Sequence, residues 1–532
     1  MSAKILPSVN RHLSWLTGVL EPQEAYWFYS LAFLGLLIRL LASWLQPAFV
    51  DEAAVYYATK AGWDALTELF KFENHPPTYN ILMYPLISLS DSIFVLRLPA
   101  VGLYLLTLGA AYQICRRCFA IPAALSLAAF GALSYSVWLT EAQLRSYGPL
   151  MCLITWFWLG IADICEHKPP YQRMFPDCPS RGWMLLALTV LGADSLHLLG
   201  IMITGSCLAV MWRIKGRESR LALICVIGGA LPVIVWYAWM QLHRHDFNAL
   251  SWQGISWQTL LAIPLSVLNF STSDSILHCW RYSQELARYS SAVSLGWLAG
   301  NAALWAMIGW GWRMLRRRMQ LWADMLALSA ILPIAALAVS GSLGLPGLQT
   351  RYAAVTWLPL TIMLAEIWRN ARWGKIAAGL LLGWSALLAI AFPLAPILWN
   401  QYWQSSLDYI EANRRQGDLI FVYVPYAGFS FVWAYDGEHA YFEFGEHFYR
   451  VKQTLTDGKL PVFLLSQNLD YQPSREELAN LAHKRVFLIL NQADRTGPPR
   501  WLFERYRMAG HFGHRSLKYW ADTEVILLEW KQ

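Results

Sequence analysis

The chain has 532 residues, of which 56% are hydrophobic and only 14% charged, and its net charge is +7. A mean hydropathy of +0.33 is too high for a soluble protein of this length, so the composition excludes that class and indicates an integral membrane protein. Its 29 Trp and 25 Tyr fit the aromatic belts at the two membrane–water interfaces, and the positive charge reflects membrane topology, not nucleic-acid binding.

The apolar pattern predicts a polytopic all-α membrane domain. A span needs about 20 mostly apolar residues. Residues 1–25 have no small-residue cleavage site after a short apolar run, which favours an uncleaved first span over a signal peptide. About eleven spans are predicted: 26–46, 94–115, 119–138, 147–165, 183–197, 198–212, 221–240, 293–312, 321–340, 352–368 and 376–397. The short stretches 183–197 and 198–212 are also compatible with one long helix or a pair of half-spans.

Basic residues orient these spans, because Lys and Arg are retained on the cytoplasmic side. With the N-terminus cytoplasmic, the inner loops collect most of these basic residues, which predicts a multi-pass membrane protein in this orientation. Residues 76–91 are then predicted to form a surface or re-entrant helix, since a crossing there would put Arg116 and Arg117 on the wrong side. The segments predicted to lie outside are the loop after the first span, 139–146, 241–292, 341–351 and the C-terminal tail.

A soluble composition begins at about residue 399, which divides the chain into a membrane domain, 1–398, and a soluble domain on the outer side, 399–532. Alternating strand-like and helical segments in the second part predict a small α/β domain that packs on the outer mouth of the first. The predicted strands are Leu419–Val424, Val462–Leu465, Val486–Leu490 and Val525–Glu529. The predicted helices are Ser406–Arg415, Ser474–His483 and Pro499–Met508.

Under this topology the polar clusters converge on the outer side. They are Asp51-Glu52, the Glu73-Asn-His75-Pro-Pro turn, the Glu141-to-Tyr147 turn, His197 and Arg351-Tyr352. Ionisable groups at a membrane boundary are costly, so they tend to line cavities or pathways. Arg39, within the first span, is expected to snorkel to the interface or to pair with an acid.

The order of these motifs resembles the GT-C membrane glycosyltransferases. A first span containing Arg is followed by Asp51-Glu52-Ala53, by His75-Pro-Pro at the start of a helix, by Glu141-Ala-x-x-Arg145-x-Tyr147 and, much later, by Arg351-Tyr352. The branch it resembles most contains the protein mannosyltransferases, the Rgt-type bacterial enzymes and the aminoarabinose transferases of lipid A. The resemblance covers roughly residues 26–370 and implies a GT-C fold.

This resemblance implies inverting transfer of a sugar from a polyprenyl-phosphate carrier to an envelope acceptor on the periplasmic face of the bacterial inner membrane. The outer segments and the domain 399–532 are then expected to be periplasmic. The reaction needs a carboxylate base near the acceptor hydroxyl and cations or a metal on the departing phosphate. Asp51 matches the acid of the family's first loop and is the candidate base. Arg145 and Arg351 suit the phosphate, since a guanidinium grips phosphate oxygens with paired hydrogen bonds.

The remaining candidate residues are predicted to bind substrate, and several have a structural alternative. Glu52 is expected to bind the acceptor or to orient the loop. The other predicted contacts are Glu73, His75, Glu141, Tyr147, His197 and Tyr352. His75 alternatively begins a helix, His197 alternatively belongs to the core, and the Arg351-Tyr352 pair alternatively anchors a span at the interface.

The sequence does not identify the cofactor or the acceptor, and it leaves alternative functions open. No cofactor is certain, although Asp51, Glu73, His75 or Glu141 could supply hard oxygen and imidazole ligands to a divalent metal. The expected partners are the polyprenyl-phosphate-linked donor, a protein, lipid or glycan acceptor, and membrane lipids. The chain lacks the luminal repeat domain of the eukaryotic mannosyltransferases, so neither sugar nor acceptor is identified. The alternatives are a transporter or flippase of lipid-linked glycans and an assembly factor with a decayed site.

Overall fold

The protein is described by a computed structural model. The structure describes residues 20–72, 77–134, 137, 141–165, 181–211, 217–243, 260–261, 263–264, 267, 291–342, 354–395, 402–423, 425–437, 458–465, 479, 481–491, 500–514 and 523–531. Predicted features elsewhere lie outside the described residues, including most of the helix expected at Ser474–His483.

The first 395 residues are helical wherever the structure describes regular elements. In chain order the helices are α1 (Pro22–Leu45), α2 (Val50–Lys60), α3 (Trp63–Phe72), α4 (Thr78–Leu89), α5 (Ile93–Cys118), α6 (Ile121–Leu133), α7 (Tyr147–Cys165), α8 (Arg181–Leu196), α9 (Leu198–Met211), α10 (Arg217–His243), α11 (Ser291–Arg318), α12 (Gln320–Ser342), α13 (Trp357–Asn370) and α14 (Arg372–Ala391). Each predicted span coincides with one helix, α1 or one of α5 to α14, with ends that differ by several residues.

By length and composition, three described helices can cross a membrane: Pro22–Leu45, Ile93–Cys118 and Arg372–Leu394. Large apolar side chains on them face outward, for example Phe33 and Leu380, which are 61% and 70% exposed. Such a surface suits lipid and not water, so the chain is a membrane protein. That all eleven helices cross the bilayer stays a prediction.

Local sequence signals explain where α1 and α5 begin and end. Pro22 opens α1, where its missing N–H costs nothing, and Glu24 accepts a hydrogen bond from the backbone N–H of Glu21. Ser92 caps α5 by accepting the N–H of Val95. The last turn of α5 is basic, which complements the negative end of the helix dipole.

The stretch from 183 to 211 forms two helices, which excludes one long helix; whether they are two full crossings or a pair of half-spans stays a prediction. His197 separates α8 from α9. A Cβ at Gly200 would lie 2.3 Å from the carbonyl oxygen of Ala193, so only glycine permits this backbone approach at the break.

The segment between α1 and α5 contains the three short helices α2 to α4. The predicted helix at 76–91 is observed as α4, which has 12 residues and contains Pro85. This length is below the roughly 20 residues of a full span. The location of α4, on the membrane surface or as a re-entrant helix, stays a prediction.

Beyond residue 402 the chain forms a five-stranded sheet in the order β2-β1-β3-β5-β4. The strands are β1 (Leu419–Tyr423), β2 (Val462–Leu465), β3 (Val486–Asn491), β4 (Tyr506–His514) and β5 (Thr523–Trp530), and the helices are α15 (Gln404–Asn413), α16 (Pro425–Asp436) and α17 (Arg500–Arg505). Strands β2, β1 and β3 are parallel, whereas β5 and β4 are antiparallel to their neighbours. The assignment of 399–532 as an independent periplasmic domain stays a prediction.

The predicted helix Pro499–Met508 is wrong at its C-terminal end. Helix α17 stops at Arg505, and Tyr506 already pairs with Trp530 as part of β4. Pairing with β5 satisfies the backbone of this edge strand, so a tertiary contact overrides the local helical pattern.

The sheet has two apolar faces, and one of them packs against the helical part of the chain. Phe421 and Leu488 belong to the face that packs on α17. Val422 and Phe487 belong to the other face, in a cluster that also contains side chains of α2, α4 and α16. Helix α2, which begins with the acidic pair, is therefore buried between the two parts of the chain.

Candidate active site

The acidic pair occupies the first turn of α2. Asp51 and Glu52 are the second and third residues of the helix, where its N–H groups and dipole favour negative charge. Glu52 also accepts the backbone N–H of Phe49 at 2.8 Å, which closes the N-terminus of the helix. Both side chains are buried.

Glu52 forms a two-point ion pair with Arg97 of α5. The Arg97 Nε and Nη2 atoms lie 2.9 Å and 2.6 Å from the two carboxylate oxygens, and neither side chain is exposed. Arg97 also donates to three carbonyls at the end of α1, those of Ser43, Gln46 and Pro47. Glu52 thus fixes α2 to two long helices, which supports its predicted role in orienting the loop. Acceptor binding by Glu52 stays a prediction.

The turn at 141–146 brings a second arginine to the acidic pair. The backbone N–H of Leu144 donates to Glu52 Oε1, so the turn is fastened to α2. The next residue, Arg145, places Nη2 3.2 Å from Oδ2 of Asp51. Asp51 is 1% exposed and Arg145 is 6% exposed. The candidate base and a candidate phosphate ligand are therefore in direct contact.

Glu141 lies at the start of the same turn but contacts a different arginine. Its Oε2 accepts from Arg39 Nε at 2.6 Å, and both side chains are buried. Arg39 also lies 3.5 Å above the ring of Tyr104. Of the two outcomes expected for Arg39, pairing with an acid is the one observed. A cavity beside this pair is lined by Arg39, Tyr104, Glu141 and Trp357, but not by Asp51 or Arg145.

Tyr147 and His197 form a separate pair of rings, with centroids 5.6 Å apart. His197 Nδ1 accepts the backbone N–H of Leu199 at 3.1 Å, so the ring caps the start of α9. This bond supports the structural alternative for His197. Substrate binding by either residue stays a prediction.

Tyr79 of α4 was not singled out in the sequence, although it lies two residues after Pro77. Its side chain is buried. Burial and the charge of Glu52 raise the pKa of its phenol, and the charge of Arg145 lowers it, so the hydroxyl lies within the field of both. Tyr79 also belongs to the buried cluster that contains side chains of α2 and Leu144, the residue before Arg145, so it is a further candidate for this site.

The outer surface of α2 is covered by the C-terminal part of the chain. Trp433 of α16 packs edge-on against Tyr56 and Tyr57, with ring centroids 4.6 Å and 5.8 Å apart. The Tyr57 hydroxyl donates to the carbonyl of Gly437 at 2.6 Å. Burial raises the pKa of Tyr57, which keeps this hydroxyl protonated as a donor. No sequence signal links these positions.

Four predicted site residues lie outside the described residues: Glu73, His75, Arg351 and Tyr352. Among the residues that the structure describes, no cluster of three His, Cys, Asp or Glu could hold a metal ion. The acids Asp51, Glu52 and Glu141 each contact a guanidinium. The described part of the site therefore compensates its carboxylates with arginine and supplies no metal site by itself.

Comparisons with known proteins identify the fold. No protein-family model matches the sequence, and no curated protein matches it. The chain is similar in structure to apo ArnT from Cupriavidus metallidurans, with a TM-score of 0.50 at 12% identity, covering 94% of this chain and 97% of ArnT. ArnT bound to undecaprenyl phosphate matches with a TM-score of 0.45 at 13% identity, covering 94% and 98%. The chain thus has the fold of ArnT, as the motif order predicted.

Proposed function

We propose that this protein transfers a sugar from a polyprenyl-phosphate carrier to a lipid, glycan or protein acceptor of the bacterial envelope. The reaction takes place on the periplasmic face of the inner membrane and inverts the anomeric centre. The ArnT-like fold supports the reaction class, and the burial of α2 beneath the C-terminal sheet supports a site enclosed between the two parts of the chain.

The observation that carries this proposal is the contact of Asp51 with Arg145 at 3.2 Å. An acceptor oxygen attacks the anomeric carbon and gives its proton to the Asp51 carboxylate. The bond between that carbon and the phosphate oxygen breaks, and its electron pair leaves with the lipid phosphate. Arg145 stabilises the charge that develops on the phosphate.

Donor binding is expected to rearrange this ion pair. The lipid phosphate competes with Asp51 for the guanidinium of Arg145, because both are anions that accept its N–H groups. Transfer of the guanidinium to the phosphate releases the carboxylate to accept a proton. Arg351 is proposed as a second phosphate ligand, and Glu73, His75 and Tyr352 as contacts of the carrier or acceptor.

The C-terminal part, 399–532, is proposed as a periplasmic domain that recognises the acceptor. Its support is positional, since Trp433 and Gly437 contact α2 directly. An acceptor held by the sheet region would lie beside the helix that carries the base. The proposed orientation places the N-terminus in the cytoplasm, and residues 1–398 form the catalytic membrane domain.

The decisive experiment compares envelope glycans of deletion and wild-type cells by mass spectrometry, with complementation by Asp51→Asn. We expect the deletion to remove one sugar and Asp51→Asn to fail to restore it while the protein accumulates normally. Asp64→Asn is the matched control, because Asp64 is an exposed acid in the first turn of α3. Full restoration by Asp51→Asn would exclude Asp51 as the base, and unchanged glycans in the deletion would argue against the proposed transfer.

A further inference from the structure

An exposed basic face lies at the C-terminal end of α11. Trp310, Arg313 and Arg317 are spaced three and four residues apart, which places them along one side of the helix. All three are exposed, Trp310 to 53%. This side combines a large amphipathic ring with two cationic side chains.

The start of α14 lies beside this face. The ring centroids of Trp310 and Trp373 are 6.0 Å apart, which joins the two helix ends into one surface. Gly311 permits this assembly, because a Cβ there would overlap the carbonyl oxygen of Met363 in the intervening α13. Arg372 and Lys375 of α14 extend the basic surface and are exposed.

The acids that face this region are already neutralised by other arginines. Asp324 of α12 pairs with Arg316 at 2.9 Å. Glu366 of α13 pairs with Arg318 at 2.7 Å and with Arg369 at 3.0 Å. In the described part of the chain, Arg313, Arg317, Arg372 and Lys375 take part in no salt bridge. The surface therefore carries uncompensated positive charge.

The position of the surface matches a membrane boundary opposite the candidate active site. Arg318 donates to the carbonyl of Cys118 at the end of α5, while Arg97 near the other end of α5 contacts Glu52. The rise of an α-helix separates those two positions of α5 by about 30 Å, close to the thickness of a bilayer's hydrocarbon core.

An apolar stripe leads away from the basic surface along α14. Ile376, Leu380 and Leu387 are 61%, 70% and 54% exposed. Their spacing of four and seven residues keeps them on one side of the helix. A ligand with an anionic head and apolar chains could therefore contact the basic surface and the stripe together.

We propose that Arg313, Arg317 and Arg372 bind the phosphodiester of an anionic phospholipid. Trp310 and Trp373 lie at headgroup level, where indole rings are favoured, and the acyl chains follow the exposed side of α14. Lys375 contributes a further positive charge that attracts the anionic headgroup. The lipid is a bound structural ligand of the membrane and not a substrate, so this site is independent of the proposed function.

The test is native mass spectrometry of the full chain released from phosphatidylcholine nanodiscs after titration with phosphatidylglycerol. We expect saturable binding of phosphatidylglycerol, weakened at least about tenfold in the triple variant Arg313→Gln, Arg317→Gln, Arg372→Gln, because basic groups near an anionic headgroup contribute cumulatively. The control removes three exposed arginines of the C-terminal region, Arg500→Gln, Arg505→Gln and Arg507→Gln, and should leave binding unchanged.

Three outcomes would overturn the proposal. The first is equal binding of phosphatidylglycerol and phosphatidylcholine. The second is unaltered phosphatidylglycerol binding in the triple variant. The third is displacement of the lipid by millimolar inorganic phosphate, which would assign the surface to a free phosphate. All substituted side chains are exposed, so the variants should fold, and thermal unfolding of each one verifies this.

Discussion

The carboxylate of Glu52 and the guanidinium of Arg97 meet through two hydrogen bonds and are both completely shielded from solvent, although 45 residues separate them in the sequence. Glu52 also accepts the N–H of Leu144, which precedes Arg145. One buried carboxylate therefore holds together α2, α5 and the turn that carries Arg145. The contacts of Glu52 therefore also position the neighbouring Asp51 beside Arg145.

Neutralising either partner of this pair should destabilise the protein strongly. Glu52→Gln or Arg97→Gln leaves one buried charge uncompensated, which typically costs about 3–5 kcal/mol. We expect a marked loss of thermal stability in detergent. The control is Arg507→Gln, which breaks an exposed pair with Glu529 and should cost about 0–1 kcal/mol. Wild-type stability of both buried-pair variants would contradict this account.

We expect that neither lysine nor glutamine can replace Arg145 without a loss of catalytic activity. Arg145→Gln removes the cation next to Asp51, and Arg145→Lys keeps the charge but loses the planar fork that grips a phosphate. We expect turnover to fall by about 10²–10³-fold in the glutamine variant, the size seen when one transition-state donor is removed. Single-turnover assays with purified donor would measure it, and a change confined to stability would mark Arg145 as structural.

His197 offers a test that separates its capping role from substrate binding. Asn is a good helix cap, so His197→Asn should keep the acceptor for Leu199, whereas His197→Ala loses it at a cost of about 0.5–2 kcal/mol. If capping is the whole role, the Asn variant keeps both stability and activity. Full stability with lost activity in the Asn variant would instead assign His197 to the substrate.

Trp433 should couple the C-terminal sheet to the helix that carries Asp51. Trp433→Ala removes the ring that packs on Tyr56 and Tyr57, and we expect a destabilisation of roughly 0.5–3 kcal/mol together with faster proteolysis between the two parts. Phe463→Ala is the matched control, since Phe463 packs on Phe421 at the other face of the sheet. If both substitutions lower stability and speed proteolysis equally, the contact of Trp433 with α2 does not couple the two parts.

The orientation predicts the location of a reporter fused after residue 399. Alkaline phosphatase should be active there, because that enzyme needs the oxidising periplasm to form its disulfides. A green fluorescent protein at the same position should stay dark after Sec export. The reverse pattern would place the C-terminal part and α2 in the cytoplasm and would exclude periplasmic transfer.

The sequence by itself determined the long helices of the first 395 residues, most of the strands and the fold. Apolar stretches of span length predicted the positions of α1 and of α5 to α14, because helix formation in a membrane depends mainly on local hydropathy. The order of the motifs predicted the fold that the chain shares with ArnT. The same local reasoning failed at Tyr506, where pairing with β5 decides the conformation.

Only the tertiary structure decided which charges meet. Asp51 and Glu52 are adjacent and chemically alike, yet one contacts Arg145 and the other Arg97. Arg39 pairs with Glu141, which lies 102 residues away in the sequence. Hydropathy is a property of each segment, whereas a buried ion pair depends on the packing of segments distant in sequence. The sequence therefore supplied the candidate residues, and the packing of the helices decided which of the described ones are in contact.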